Sequence, residues 1–313
     1  MSQTEKKADQ SLLIWGSFFI LTLFWGSSFI LIKKALLGFS AFQVADIRLF
    51  TAGATLASLA YVHVKRIPRE KLKYVFVVSI TGIFLPAYLF SAAQLGLNSS
   101  VVGVLNALTP AFTFLISLFF FGGKRNNMQL LGLMLGFFGS ILLIAVNAKG
   151  QFSLNNYAFF VVAATICYGT NTNLVKNYLS DVPALYISTV SVTIAGLLTL
   201  PHLFLSGTWG THNLNLEGIS KAFSGDWKNL VFEKWQVPMF AAMSLGLLGT
   251  ALAQLIFNRV LQLSSAVFAS SITYFIPIVA VMWGIFDGEV LLIWHYVGML
   301  FIIIGIFILN KNR

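Results

Sequence analysis

Residues 74–123 read YVFVVSITGIFLPAYLFSAAQLGLNSSVVGVLNALTPAFTFLISLFFFGG, fifty consecutive positions without Asp, Glu, Lys or Arg. As a single α-helix the stretch would run about 75 Å, more than twice the roughly 30 Å of a bilayer's hydrocarbon core. It must therefore cross and return, and Gly96, Asn98, Ser99 and Ser100 supply the turn chemistry for the reversal. A chain that carries such a segment uses lipid as its solvent.

The remainder has the same character. Hydrophobic residues fill 58% of 313 positions and charged ones 10%, a balance that soluble domains do not keep. Further charge-free stretches occupy 11–32, 49–64, 126–148, 150–175, 182–216, 235–258, 260–286 and 290–310. The second opens earlier, near Gln43, so that Asp46 and Arg48 fall inside it, and only the first part of 182–216 is strongly apolar. With 74–123 folded back once, these stretches predict an all-α integral membrane fold of ten transmembrane helices. The apolar run Ser11–Ile32, behind Lys6 and Lys7, is too long for a signal-peptide core and lacks an Ala-x-Ala-like exit, so it reads as a retained helix. The single Cys167 excludes an intramolecular disulfide.

The net charge of +10 does not predict a nucleic-acid partner, because no basic stretch is long enough to track a phosphate backbone. Thirteen of the twenty Lys and Arg fall in loops on the side of the amino terminus, six on the other side, and Arg48 lies within a span. The bias predicts cytoplasmic termini in a multi-pass protein of the cell (inner or plasma) membrane. The long segment from about Ser206 to Trp235 then faces outward, with Trp209, Trp227 and Trp235 seating it at the interface.

The chain repeats itself. Trp25-Gly26 followed by Lys33 and Lys34 recurs 143 positions on as Tyr168-Gly169 followed by Lys176 and Asn177. Ser99-Ser100-x9-Pro110 finds its counterpart 167 positions on, in Ala266-Val267-x9-Pro277, and Gly132 and Gly139 match Gly298 and Gly305. The offset grows by about 24 residues, the size of an insertion near 206–235. One duplication plus one insertion divides the chain into five-helix repeats at 1–148 and 149–313. An odd number of helices inverts the second copy, and inverted repeats are an architecture of carriers that expose a midplane site to each side in turn.

Taken together, Trp25-Gly26-Ser27-Ser28-Phe29, Arg48, Pro110, and Pro277-x11-Glu289 with Gly298 and Gly305 resemble the drug/metabolite transporter superfamily, and within it the EamA-type exporters. The resemblance spans about residues 12–147 and 155–310. It implies ten helices, two EamA repeats and export of small metabolites such as amino acids or nucleobase-like compounds. One departure stands out. Members carry Gly-Glu at the end of the fourth span, as Gly288-Glu289 does in the ninth, whereas this chain has Gly122-Gly123-Lys124 there.

Polar side chains deep in a bilayer are costly and face a cavity or the bundle interior. Gln94, Asn106, Asn171, Gln254, Asn258 and Thr273 are the candidates for substrate binding. Asn106 and Thr273 each stand four residues before a proline, Pro110 and Pro277, which removes the helical partner of their carbonyls. A substrate, a water or a neighbouring Ser or Thr could satisfy each carbonyl, and the symmetric placement favours a substrate path. Trp25, Tyr88, Tyr168 and Tyr274 are candidate pocket aromatics for an apolar or cationic substrate, with Trp283 a further one. Arg48 lies about 200° around its helix from Asp46, so it must find a carboxylate or carbonyl elsewhere or face an aqueous vestibule. Gly132-x3-Gly136-x2-Gly139 forms a close-packing face for another helix or for the second protomer of a homodimer.

Asp46, Asp287 and Glu289 are the only carboxylates near the membrane, all close to span ends, and His63, His202, His212 and His295 are terminal or in loops. Uniport, or coupling through an end-of-helix group, follows. No cofactor or metal is expected: the sequence has no His-Glu-x-x-His, and no histidine sits mid-span beside a serine. The expected partners are a small-molecule substrate and membrane lipid. The alternatives are an intramembrane enzyme such as an acyltransferase, with His295 as its candidate, or a channel, which would need one continuous polar face.

Overall fold

The computed structural model describes residues 3–123, 127–145, 155–205, 236–264, 266, 269 and 271–311. The expectations for the 206–235 segment, including its three tryptophans, lie outside these residues. Among the described residues the structure is helical, with no strand.

The first helix, α1 (Gln3–Ala35), ends at Lys33 and Lys34, and a short turn leads to α2 (Ala41–His63). Ser40 caps α2 with its hydroxyl on the Gln43 N–H, while Ser40 N–H donates to Gln43 Oε1. This reciprocal box satisfies donors that the helix start leaves open. The charge-free stretch 74–123 folds back as its length demands. α3 (Arg69–Ser79) runs through a π-helical turn (Ile80–Phe84) into α4 (Leu85–Ala93), and the reversal occupies 94–98. α5 (Ser99–Leu105), a 3₁₀ turn (Asn106–Leu108) and α6 (Thr109–Phe120) form the return. Then follow α7 (Asn127–Ala145), α8 (Ala158–Tyr178) and α9 (Ala184–Leu205). α10 (Gln236–Gly246) passes through a second π-helical turn (Leu247–Leu252) into α11 (Ala253–Leu263). A 3₁₀ turn (Ser271–Tyr274), α12 (Ile276–Phe286) and α13 (Ile293–Lys311) complete the described chain.

Seven helical stretches among the described residues are long and apolar enough to cross a membrane, and Ile276–Phe286 and Ile293–Gly305 are shorter apolar helices. Phe119, Phe120, Phe204 and Phe286 are each at least 74% exposed, a display that lipid accommodates and water does not. The fold is that of a multi-pass membrane protein.

Local chemistry explains the irregular turns. Pro86 has no N–H for the Gly82 carbonyl and crowds it, so the helix widens over Ile80–Phe84. Pro110 and Pro277 sit in the first turns of α6 and α12, where a missing N–H costs least, and each follows a 3₁₀ turn. Glycines bring several helix pairs into close contact, among them two that matter here. α2 crosses α9 where Gly53 meets Gly196: a Cβ added to Gly53 would lie 2.9 Å from Gly196 Cα. α7 packs on α13, and a Cβ on Gly139 would lie 2.5 Å from the Gly298 carbonyl oxygen. The glycine face of α7 thus seats the chain's own last helix and is not free for a second protomer.

Candidate functional site

Between these helices lies a cavity. Its apolar wall comes from Trp25, Phe29 and Ile32 on α1, Phe90 on α4, Tyr168 on α8 and Phe257 on α11. Trp25 stands midway along its span and its indole N–H donates to the Gly249 carbonyl in the second π-helical turn at 3.1 Å. A π-turn leaves carbonyls without their usual partner, and a side chain supplies one. The first π-turn offers the Gly82 carbonyl to Gln254 Nε2 at 3.5 Å, a long contact.

The polar wall is Ser28, Arg48, Asn106, Thr109, Asn171, Thr172, Gln254 and Thr273. Arg48 is 7% exposed. Its Nε donates to Thr250 Oγ1 at 2.8 Å, and Tyr168 faces the guanidinium from α8. Of the alternatives open from the sequence (a carboxylate, a carbonyl or an aqueous vestibule), Arg48 takes neither of the first two: it lines the cavity and hydrogen-bonds the hydroxyls of Thr250 and Tyr168. The Asn106 carbonyl freed by Pro110 is also taken: the Thr109 backbone N–H donates to it, and so does Thr109 Oγ1 at 2.8 Å. That carbonyl is therefore satisfied within the turn itself, and what Asn106 offers the cavity is its amide. Asn171 Oδ1 is buried without a hydrogen-bond partner.

Trp25, Arg48, Asn106, Tyr168, Asn171, Gln254 and Thr273 thus come together at one cavity. The other candidates whose side chains are described do not line it. Tyr88 donates its hydroxyl to Asp46 Oδ1. Gln94 caps the end of α4 beyond the last apolar turn, its side-chain amide without a hydrogen-bond partner, so it is not the mid-span group its charge-free surroundings suggested. Asn258 Nδ2 donates to Ser188 Oγ at 2.8 Å, fastening α11 to α9. Pro110 and Pro277 shape the turns beside the cavity. Tyr274 closes the second 3₁₀ turn, and its side chain lies outside the described residues. Trp283 donates to Ser27 Oγ at 2.9 Å, away from the cavity. Sequence reasoning missed Ser28, Phe29, Ile32, Phe90, Thr109, Thr172 and Phe257. The repeat offset could have found several of them, since Ser28 and Phe29 precede Asn171 and Thr172 by 143 positions, and Phe90 precedes Phe257 by 167.

Ionic contacts flank the cavity. At the ends of α2 and α9, the fully buried Asp46 binds His202 Nδ1 through Oδ2 and Tyr88 through Oδ1. His202 lies within α9, not in a loop. At the end of α1, Lys33 contacts Glu289 Oε1 at 2.7 Å and Asp287 Oδ2 at 2.8 Å, while Lys34 binds Asp287 Oδ1. Glu289 also accepts from the N–H and hydroxyl groups of Ser99 and Ser100 at the start of α5. Burial pushes the Glu289 carboxyl up, but the Lys33 and serine donors outweigh it and hold the group below the usual range. Lys33 and Lys34 hold Asp287 low in the same way. At the opposite helix ends, Lys71 binds Asp181 Oδ1 at 3.1 Å and lowers its carboxyl. Lys176, 143 positions after Lys33, has no glutamate at the matching turn and donates to the Ser264 carbonyl at 2.5 Å. Gly122 and Gly288 make the same left-handed turn, with φ of 66° and 76°, but the residue that follows is Gly123 in one and Glu289 in the other. No cluster of three or more metal-ligating side chains occurs among the described residues.

The model of the EamA-like transporter family matches residues 13–145 and 155–311. A Bacillus subtilis (strain 168) protein named "Uncharacterized transporter YvbV" is 24% identical over 298 residues, 93% of this chain and 90% of that protein. An Escherichia coli (strain K12) protein named "Probable amino-acid metabolite efflux pump" is 25% identical over 133 residues, 42% of this chain and 43% of that one. A solved crystal structure with 15% sequence identity superposes with a TM-score of 0.64 over 97% of this chain and 96% of its own, so the two share a fold. A cavity ringed by apolar helices, in a chain matched by the family along most of its length, fits a membrane transporter: this protein belongs to the EamA-like transporter family of the drug/metabolite transporter superfamily.

Proposed function

We propose that this transporter is a secondary carrier that exports a small metabolite, an amino acid or a nucleobase-like compound, by alternating access of two inverted five-helix repeats. The ten spans divide at 1–148 and 149–313, and both termini face the cytoplasm of a cell membrane. The observation that carries the reading is the pairing of positions around the cavity. Trp25 and Tyr168, Ser28 and Asn171, and Phe29 and Thr172 stand 143 positions apart, and Phe90 and Phe257 stand 167 apart, as Asn106 and Thr273 do. A site shared evenly by two similar halves is reached from either side when one half rocks against the other. The α2–α9 crossing at Gly53 and Gly196, themselves 143 apart, supplies the pivot. The contacts of Lys33 with Glu289 and of Lys71 with Asp181 supply closures at opposite ends. Outward direction is supported by the name of the Escherichia coli relative.

The test is counterflow in liposomes. Purified protein is given a panel of radiolabelled amino acids and nucleobases, beside an Asn106→Leu/Gln254→Leu double variant. Saturable exchange that the variant loses supports the carrier and its site. Leak that does not saturate and is shared by both proteins would overturn it.

A further inference from the structure

Arg48 is a buried guanidinium without a counter-charge. Among the described residues no carboxylate lies within ion-pairing distance of it. The nearest in sequence, Asp46, spends both oxygens on Tyr88 and His202 and points to the other side of α2. Nε donates to Thr250 Oγ1 and the guanidinium also hydrogen-bonds Tyr168; both partners are neutral, and the group lines the cavity. An unpaired charge in a low-dielectric interior is strongly disfavoured, and intramembrane ionisable groups that persist serve a ligand or an ion path. A guanidinium fork is shaped for two parallel hydrogen bonds to an oxyanion. Among the described residues no Asp or Glu lines the cavity to hold a cation, which turns the aromatic wall from a cation cage into an apolar seat.

We infer that the cargo is a small organic anion whose carboxylate docks on Arg48 and whose apolar or aromatic body lies against Trp25, Phe90 and Phe257. The unpartnered Asn171 Oδ1 accepts a donor from that body. The inference rests on the carrier reading and narrows its substrate class.

Benzoate and its neutral isostere benzamide separate the charge from the shape, and binding is read as thermal stabilisation of the detergent-purified full chain. Benzoate raises the midpoint and benzamide does not. Arg48→Gln weakens the apparent benzoate affinity at least tenfold, and Arg48→Lys, which keeps the charge without the fork, falls between. Without ligand, Arg48→Gln melts no lower than wild type, because it removes an unpaired buried charge; a residue kept for packing would melt lower. Equal stabilisation by benzoate and benzamide, or benzoate binding that survives Arg48→Gln, overturns the inference. In liposomes, counterflow of 3-phenylpropanoate against 3-phenylpropanamide keeps the two readings apart. Exchange of the amide in preference to the acid leaves a carrier but defeats the anion. Benzoate binding that depends on Arg48, with no exchange of any compound, sustains the anion site and defeats the carrier.

Discussion

Lys33 Nζ lies 2.7 Å from Glu289 Oε1, joining the end of the first helix to the turn after α12, with the Glu289 side chain 2% exposed and that of Lys33 35% exposed. The same carboxylate receives the first two N–H groups of α5, so one side chain gathers three segments. A helix start attracts a negative charge through its free donors, and here the lysine adds a second reason for the carboxyl to stay ionised.

The pH dependence of this junction follows from its sign. The Glu289 and Asp287 carboxyls are held below their ordinary range in the folded protein. Depressed carboxylates contribute stability that is fully present above the unfolded value of about 4 and is lost as pH falls through the folded one. Thermal unfolding between pH 5 and pH 8 is therefore insensitive to the junction, and a loss sets in below about pH 4. Glu289→Gln removes the Glu289 share of that acid-side loss, leaving that of Asp287, and lowers stability at neutral pH by about 2 kcal/mol, discounted because Lys33 remains partly solvated. An unchanged acid limb in the variant would detach the loss from Glu289.

A second prediction concerns Asp46. Removing His202 as His202→Leu strips a fully buried carboxylate of one of its two partners. The cost is about 2–3 kcal/mol, toward the low end for a broken buried pair because His202 keeps 45% exposure. Asp46→Asn neutralises the group that needed the partner, so the double variant recovers part of the loss. A double-mutant cycle by thermal unfolding measures the coupling. Strict additivity would mean the two side chains are neighbours without interaction.

How much of this could be read beforehand depended on whether the information lay within one helix or between two. Fifty charge-free residues announce a reversal by length alone, and Gly96 to Ser100 gave its place. Asn106, Asn171 and Gln254 were conspicuous because an amide inside an apolar helix is costly anywhere but at a cavity or a partner. The contact of Asp46 with His202 was hidden, since it depends on the register in which α2 crosses α9. His202 also lies close to the end of its helix, where a histidine ordinarily meets water. The π-helical turn before Pro86 was within reach, because a proline names the carbonyl it displaces.

Thr109 gives a third prediction, on the kink itself. Its hydroxyl donates to the Asn106 carbonyl at 2.8 Å and touches the Asn106 amide oxygen at 3.3 Å. Thr109→Val keeps the shape and removes one of the two donors on that carbonyl, leaving it the Thr109 N–H alone, at a cost of about 1 kcal/mol. Thr109→Ser keeps the donor and stays close to wild type. Thermal unfolding of the two variants decides between them, and equal loss in both would place the role of Thr109 in its methyl group.

The last prediction tests the crossing of α2 and α9. Gly53 and Gly196 bring two backbones together so closely that a Cβ on Gly53 would stand 2.9 Å from Gly196 Cα and 3.4 Å from the Val192 carbonyl oxygen. Nothing at that contact is the far end of a flexible side chain, so the helices themselves must separate. Overpacking of this kind costs about 1–3 kcal/mol. Gly53→Ala should therefore lower the unfolding temperature, whereas Ala54→Leu, on the exposed side of the same helix, should not. The two substitutions also differ in transport if the crossing is where the halves pivot. In counterflow Gly53→Ala reduces the maximal exchange rate severalfold with little change in half-saturation, because the cavity walls lie elsewhere along the helices. A variant that loses affinity and keeps its rate would show that the glycine contact shapes the site and not the motion.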